Sequence, residues 1–301
     1  MTITKVYTRE EINKLYHSLG AGTKCKTPPY AIFQIKMSDC TITAYESLKV
    51  VFQGNGAEFY SDIVKGKVAT KKTSSSSKTT TASVSEVFPQ AGSDEVGTGD
   101  YFGPVVVCAA YVEEKDRELL IKLGIKDSKQ IKDPEILMIA PQLIDHLKYS
   151  ILILDNYKYN QVHETNNMNQ IKAKLHNQAF INLQKKFNLN LSTIYVDQFT
   201  PPPSYFRYLK NESEVVRNIH FETKAEDKFL SVACASIIAR YYFLDTLKKM
   251  DEKYDFTFPK GAGAHVDAIA KQLVEQHGRD ILWQVSKYHF SNTDRIINED
   301  D

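Results

Sequence analysis

The sequence predicts a two-part protein: a large α/β core of strands interleaved with helices, preceded by a small α+β module of one helix on a meander of strands. Three observations carry this. The stretch 71–87, KKTSSSSKTTTASVSEV, is rich in Ser, Thr and Lys, holds no aromatic residue and has no periodicity that buries a face, so it reads as a flexible linker. It separates residues 1–70 from residues 88–301, and both parts are of ordinary domain size. Before the linker, apolar and polar residues alternate between turn signals; after it, short apolar runs are interspersed with longer segments of helical period.

In the small module, TREEINKLYHSL places Thr8 three residues before Glu11 and spaces its apolar residues as a helix does. YAIFQIKM, CTITAYES and KVVFQG follow as strands, leaving one sheet face that fits binding or ordinary solvated surface equally. In the large module, Gly103 to Val112 is an apolar strand, paired as a hairpin with the strand leading into Ser93 and Asp94 across the turn GTGDYFG. DPEILMIAPQLIDHLKY starts a helix with Asp133 as cap and Pro134 at the first helical position. YSILILD is a strand, Met168 to Phe187 a long helix, LSTIYVD a buried strand ending on Asp197, and FLSVACASIIARYYFLDTLKKMDEKY a helix packed on a sheet.

With 42% hydrophobic and 25% charged residues, the 301-residue chain has a globular composition, which excludes wholesale disorder. No apolar run reaches the roughly 20 residues of a membrane span, and MTITKVYTREEINKLYHSLG lacks a secretory core, so the expected address is the cytoplasm, with no membrane partner. Cys25, Cys40, Cys108 and Cys234 form no CxxC pair and read as structural. The eight histidines show no zinc-binding spacing. Residues 1–72 hold 11 Lys and Arg against 6 Asp and Glu, near +5, while the remainder holds 27 against 31, near −4. A basic module fits a polyanion partner, and a solvated lysine face fits equally.

Acids stand at element ends: Asp94 and Glu95 on the first strand of the large module, Asp197 closing another, Glu226 and Asp227 ahead of the last long helix. Singly, each has an ordinary explanation as a strand end or helix start. Brought together, like charges about 4 Å apart repel by roughly 4 kcal/mol per pair at an effective dielectric near 20, so such a cluster needs protons or cations. Oxygen ligands suit Mg²⁺ or Mn²⁺, and two such ions can activate water and stabilise a leaving oxygen in phosphodiester cleavage. Gly97 and Gly99 around Thr98 let a ligand approach the backbone closely, and a plain hairpin turn accounts for them too.

GSDEVGTGDYFGP, KDSK, YVDQF, TKAE before ASIIARYYF, FPKGAGAHVD and KYHFSNT together resemble bacterial ribonuclease HIII, and PPYAIFQIK with VVFQG resembles that family's N-terminal TATA-binding-protein-like domain. The resemblance implies a ribonuclease H-like fold, a mixed central sheet flanked by helices. It also implies hydrolysis of the RNA strand of RNA/DNA hybrids with Mg²⁺ or Mn²⁺, leaving 5′-phosphate and 3′-hydroxyl ends. Metal-binding catalysis carries over to Asp94, Glu95 and Asp197; Glu226 and Asp227 compete for the fourth place, which the spacing to ASIIAR gives to Glu226. Gly97, Thr98 and Gly99 fall at the RNA 2′-hydroxyl, Lys129 of KDSK at a phosphate, and Lys260 is a secondary candidate of that kind. His265 stays outside the set, and Tyr205 and Arg207 read as surface or substrate rim. Leu48 stands where the family expects a small residue. No obligate protein partner is implied. The alternatives are incision at single ribonucleotides embedded in DNA, another two-metal nuclease on the same fold, and a silent hybrid-binding protein.

Overall fold

The computed structural model describes residues 2–19, 23–25, 27–28, 30–37, 40–54, 57–61, 63, 67–68, 87–125 and 131–297. Of the expected linker only Val87 is among them, and Lys129 lies outside the described residues. The chain divides into two compact units, residues 1–81 and 82–301.

The first unit contains β1 (Thr2–Val6), α1 (Arg9–Ser18), β2 (Thr23–Lys24), β3 (Ala31–Lys36), β4 (Cys40–Tyr45), β5 (Lys49–Gly54), α2 (Ala57–Ser61) and β6 (Lys67–Val68). Its strands form one antiparallel sheet in the order β2-β3-β4-β5-β1-β6 among the described residues. The Thr8 hydroxyl accepts from the Glu11 N–H and the Glu11 carboxylate accepts from the Thr8 N–H, the capping box the sequence signals. Ile12 and Leu15 of α1 then pack on Phe33, Ile35, Ile42 and Phe52. Strand β1 has an inverted polarity that hides it from a hydropathy reading. Lys5 is buried, its ammonium donating to the Ser61 carbonyl at 2.7 Å, while Val6 is exposed. Leu48 adopts the left-handed region, φ +63°, which explains why a small residue is expected there.

The second unit contains β7 (Gln90–Val96), β8 (Val105–Val112), α3 (Arg117–Lys122), α4 (Asp133–His146), β9 (Lys148–Leu154), α5 (Asn156–His163), α6 (Met168–Phe187), β10 (Ile194–Asp197), α7 (Pro202–Tyr208), β11 (Ile219–Glu222), α8 (Leu230–Tyr254), α9 (Ala264–His277), α10 (Ile281–Val285) and α11 (Ser291–Ile297). The sheet order is β11-β10-β7-β8-β9, with β10 parallel to both β7 and β11 and the β7-β8-β9 pairs antiparallel. Every residue of β8 is buried. Val106, Cys108 and Ala110 face a core built with α4 and α8, and Val105, Val107 and Ala109 face a second core built with α6. A strand covered on both faces needs a continuous apolar run, which is how Val105–Val112 reads.

Two local expectations are corrected. Asp133 is the first residue of α4 rather than its cap: the Glu135 carboxylate accepts from the Lys132 N–H, so the helix begins one residue earlier, and Asp133 instead pairs with Arg240 and Lys260. Tyr205 is no rim residue, since the PPPSYFRYL segment forms α7 and folds Tyr205 into a cluster with Ala173 and Leu209, while Arg207 is exposed. Among the described residues, α8 alone is long and apolar enough to be weighed as a membrane span, and it is the central core helix.

Helix α8 approaches β7 most closely at Gly92, where a Cβ would stand 2.5 Å from both the Ser231 hydroxyl and the Val232 nitrogen. Because backbone cannot retreat as a side-chain tip can, Gly92→Ala is expected to destabilise the protein by about 1–3 kcal/mol in urea unfolding. An unchanged midpoint would show that the helix and strand separate without cost.

Candidate active site

Consecutive residues of a strand point to opposite faces of its sheet. In β7, Ser93 and Glu95 therefore face α6 while Gly92 and Asp94 face α8, and their contacts follow that division. Asp94 accepts a hydrogen bond from Ser236 of α8 and another, at 2.8 Å, from the Glu95 N–H. Glu95 reaches the other face, where one carboxylate oxygen meets the Lys172 ammonium and the other lies 2.9 Å from Nε2 of His176. Nδ1 of the same imidazole is 2.6 Å from the Ser93 hydroxyl. Phe199 closes this side, its ring 4.0 Å from the Lys172 ammonium and stacked on His176 at 5.4 Å.

The third acid arrives by strand pairing. Val196 of β10 is in register with Ser93, so Asp197 is the next position beside Asp94 on the neighbouring parallel strand. The Asp197 carboxylate accepts from the Ala225 N–H at 3.0 Å and so holds a short 3-10 turn, Ala225–Asp227. Lys224 enters that turn in the left-handed region, φ +55°. Glu226 is half-buried and close enough for its charge to act on Asp94, whereas Asp227 is exposed.

The electrostatics of the two adjacent carboxyls diverge. Burial, then the charge of Glu95, and at a further remove that of Glu226, push Asp94 up to about 8, against the hydrogen bonds from Ser236 and the Glu95 amide. Burial would also raise Glu95, but the His176 hydrogen bond and charge, with the Lys172 ammonium, outweigh it and bring Glu95 down to about 2. One face of β7 thus carries an anion already matched by an ammonium and an imidazole hydrogen bond, and the other carries a carboxyl with more negative surroundings than it can ionise against.

The turn after β7 stands beside these acids. Gly97 has φ +91°, and a Cβ there would lie 2.1 Å from the Pro104 carbonyl, so no other residue fits without moving the loop. Around Gly99 a Cβ would meet nothing within 4 Å, and Gly99 is exposed, which leaves its backbone open to a ligand. Lys260 is turned to Asp133, and its carbonyl lies 3.2 Å from Nε2 of His265.

Residues the sequence reading did not single out are Lys172, His176, Phe199 and Ser236. One signal was available: Lys172 and His176 are four apart in α6, among the buried Ile171, Ala173 and Ala179, where an ordinary core face would carry no such polar pair.

A family model described as Ribonuclease HII matches residues 91–293, and a domain of unknown function, DUF3378, matches residues 2–77. Ribonuclease HIII of Bacillus pumilus is 43% identical over 294 residues, covering 96% of each chain. The chain belongs to the ribonuclease HIII family. Ribonuclease HIII of Listeria monocytogenes is also 43% identical, over 286 residues and 90% of each chain. The crystal structure of Bst-RNase HIII in complex with Mn²⁺ aligns with a TM-score of 0.70 and 35% identity, covering 99% of this chain and 98% of that one. As a member of the ribonuclease HIII family the protein is a ribonuclease H, with the ribonuclease H-like fold.

Among the described residues no three His, Cys, Asp or Glu side chains stand together in ion-holding geometry, and Glu95 in particular is turned to the α6 face. The donor set nevertheless fits Mg²⁺ or Mn²⁺. Asp94, Asp197 and Glu226 offer only hard carboxylate oxygens, and the raised Asp94 carboxyl marks a surplus of negative charge that a divalent cation would relieve.

The opposite shifts set a pH test. Asp94, raised from its ordinary 3.8, stabilises the fold fully below about 4 and loses that contribution as pH rises through about 8. Glu95 has the reverse sign: its contribution is present above 4.5 and lost as pH falls through about 2. Between about pH 5 and 7, metal-free wild type is therefore expected to lose stability relative to Asp94→Asn in thermal melts, and millimolar Mn²⁺ to reverse the trend. Parallel curves for the two proteins would rule Asp94 out as the titrating group.

Proposed function

We propose that Asp94, Glu95, Asp197 and Glu226 form the metal-binding, catalytic set of this ribonuclease H, with Glu95, paired to Lys172 and His176 without metal, turning toward Asp94 when the ions bind, and that Gly97, Thr98 and Gly99 receive the RNA strand. The enzyme hydrolyses the RNA strand of RNA/DNA hybrids. The observation that carries the residue assignment is geometric: strand register sets Asp197 beside Asp94, Asp197 holds the turn that bears Glu226, and the open turn at Gly99 flanks them. These carboxylates would hold divalent ions, two in this reading, which when bound would supply polarisation of the scissile phosphate and an activated water; 5′-phosphate and 3′-hydroxyl ends are the expected products.

The chain's own groups divide the remaining work. Asp94 and Asp197, on adjacent strands, supply facing carboxylates, and the turn held by Asp197 presents Glu226 toward Asp94. Lys172 and His176 orient Glu95. Asp227 is a neighbour rather than a ligand, which its exposure supports. The backbone around Gly99 has room for a ribose hydroxyl, the group that distinguishes RNA from DNA. Lys129 is assigned a phosphate contact on the family resemblance of KDSK.

The same proposal gives residues 1–70 the role of a TATA-binding-protein-like substrate grip, connected through the segment 71–87 to the catalytic domain at 88–301. Its basic composition supports this, as do exposed Lys36, Lys49 and Gln53 on one sheet. Cytoplasmic residence is part of the reading.

Asp94→Asn is expected to lower kcat on an end-labelled hybrid by roughly a hundredfold or more while hybrid binding stays within a few-fold. Retained activity would remove Asp94 from the mechanism. Deleting residues 1–72 is expected to raise KM for the hybrid and flatten its salt dependence, with kcat largely kept. A duplex carrying one embedded ribonucleotide serves as the comparison substrate, and efficient incision there would shift the substrate assignment.

A further inference from the structure

The turn between β7 and β8 is held from below by a buried lysine. Lys287 has no exposed surface, and its ammonium donates to the carbonyls of Asp100 at 2.8 Å and Gly103 at 2.7 Å. The Gly103 carbonyl also accepts from Asn156 at 2.9 Å. Around this point the chain segment near residue 286 is laced to the turn: the Lys287 N–H donates to the Tyr101 carbonyl at 2.8 Å, the Gly103 N–H to the Val285 carbonyl at 3.2 Å, and Phe102 bridges Ser286. On the far side the Asp100 carboxylate accepts from the Gly261 N–H at 2.6 Å.

Burying an ammonium costs several kcal/mol unless its protons are satisfied, and no salt bridge to Lys287 is formed among the described residues. Burial lowers its pKa to about 7, opposed by the charge of Asp100. A thioether or alkyl chain would fill the same volume without that cost, so what the amine adds is directional: it draws two carbonyls three residues apart toward one point. Those carbonyls belong to the segment that closes the loop begun at Gly97, whose own backbone is clamped against Pro104.

We propose that Lys287 is a positioning residue for sugar discrimination: by fixing the Asp100 and Gly103 carbonyls it sets the backbone around Gly97–Gly99 in the conformation that prefers a ribose to a deoxyribose. The inference rests on the reading that this turn receives the RNA strand. Lys287 itself touches no substrate in this account, and Asn156 contributes to the same end through Gly103.

The test uses the full-length enzyme in Mg²⁺, measuring KM and kcat on an RNA/DNA hybrid and the inhibition constant of an all-DNA duplex of the same sequence. Lys287→Met is expected to reduce the ratio of that constant to KM by about fivefold or more, Asn156→Ala by about twofold, with Lys287→Gln between methionine and wild type because its amide can still donate. A purely structural lysine would lower Tm and leave the ratio where it was; that result in a folded Lys287→Met overturns the proposal. Should the methionine variant fail to fold, an unchanged ratio in Asn156→Ala and Lys287→Gln overturns it as well. Gly97→Ala separates the two levels of inference. If it leaves the ratio intact, the turn does not read the sugar at all; if it collapses the ratio while the Lys287 variants do not, the turn reads the sugar and Lys287 does not set it.

Discussion

Crowding of negative charge into a buried strand end is the constraint on which the rest of the catalytic unit depends. Asp94 sits where burial and two other carboxylates oppose its ionisation. A fold that selects such a position must supply the backbone to hold it, and nearby elements converge on that task. Helix α8 closes on Gly92 without an intervening side chain and brings Ser236 to Asp94. Strand β10 places Asp197 alongside, and the Asp197 carboxylate in turn organises the segment that carries Glu226.

On the opposite face of the same strand the solution is different. Glu95 is compensated by the Lys172 ammonium and the His176 hydrogen bond, and the aromatic ring of Phe199 lies against both side chains. A buried pair of this kind brings little net stability compared with apolar packing; its value lies in fixing where a carboxylate points. The alternation of a β-strand thus separates two adjacent acids into two environments, one matched in charge and one deliberately unmatched.

How legible this was depends on the residue. The ends of α6 and the Thr8–Glu11 capping box follow from local patterns that the structure repeats. The acids could be picked out because they stand at element ends, yet the placing of Asp197 beside Asp94 is a matter of strand order, which no local pattern encodes. Strand β1 escaped because Lys5 points inward and Val6 outward, reversing the polarity a hydropathy reading relies on. The place of Lys287 was invisible for a related reason: lysine is read as surface by type, and only two backbone carbonyls far from it in sequence, those of Asp100 and Gly103, make an interior place for it. Tyr205 looked like loop because the proline run before it suggests a turn, although prolines at the start of a helix are compatible with its first turn.

The lacing of the turn to residues 285–287 has a bearing on the order in which the molecule becomes competent. The acids are spread from residue 94 to residue 226, so a chain ending shortly after α8 already contains all of them. It lacks the strut that shapes the loop beside them. Under the proposed assignment such a chain would hold the metal-binding acids while its discrimination between sugars was still weakened. Placing the strut late in the sequence makes the finished turn a report that almost the whole domain has been assembled.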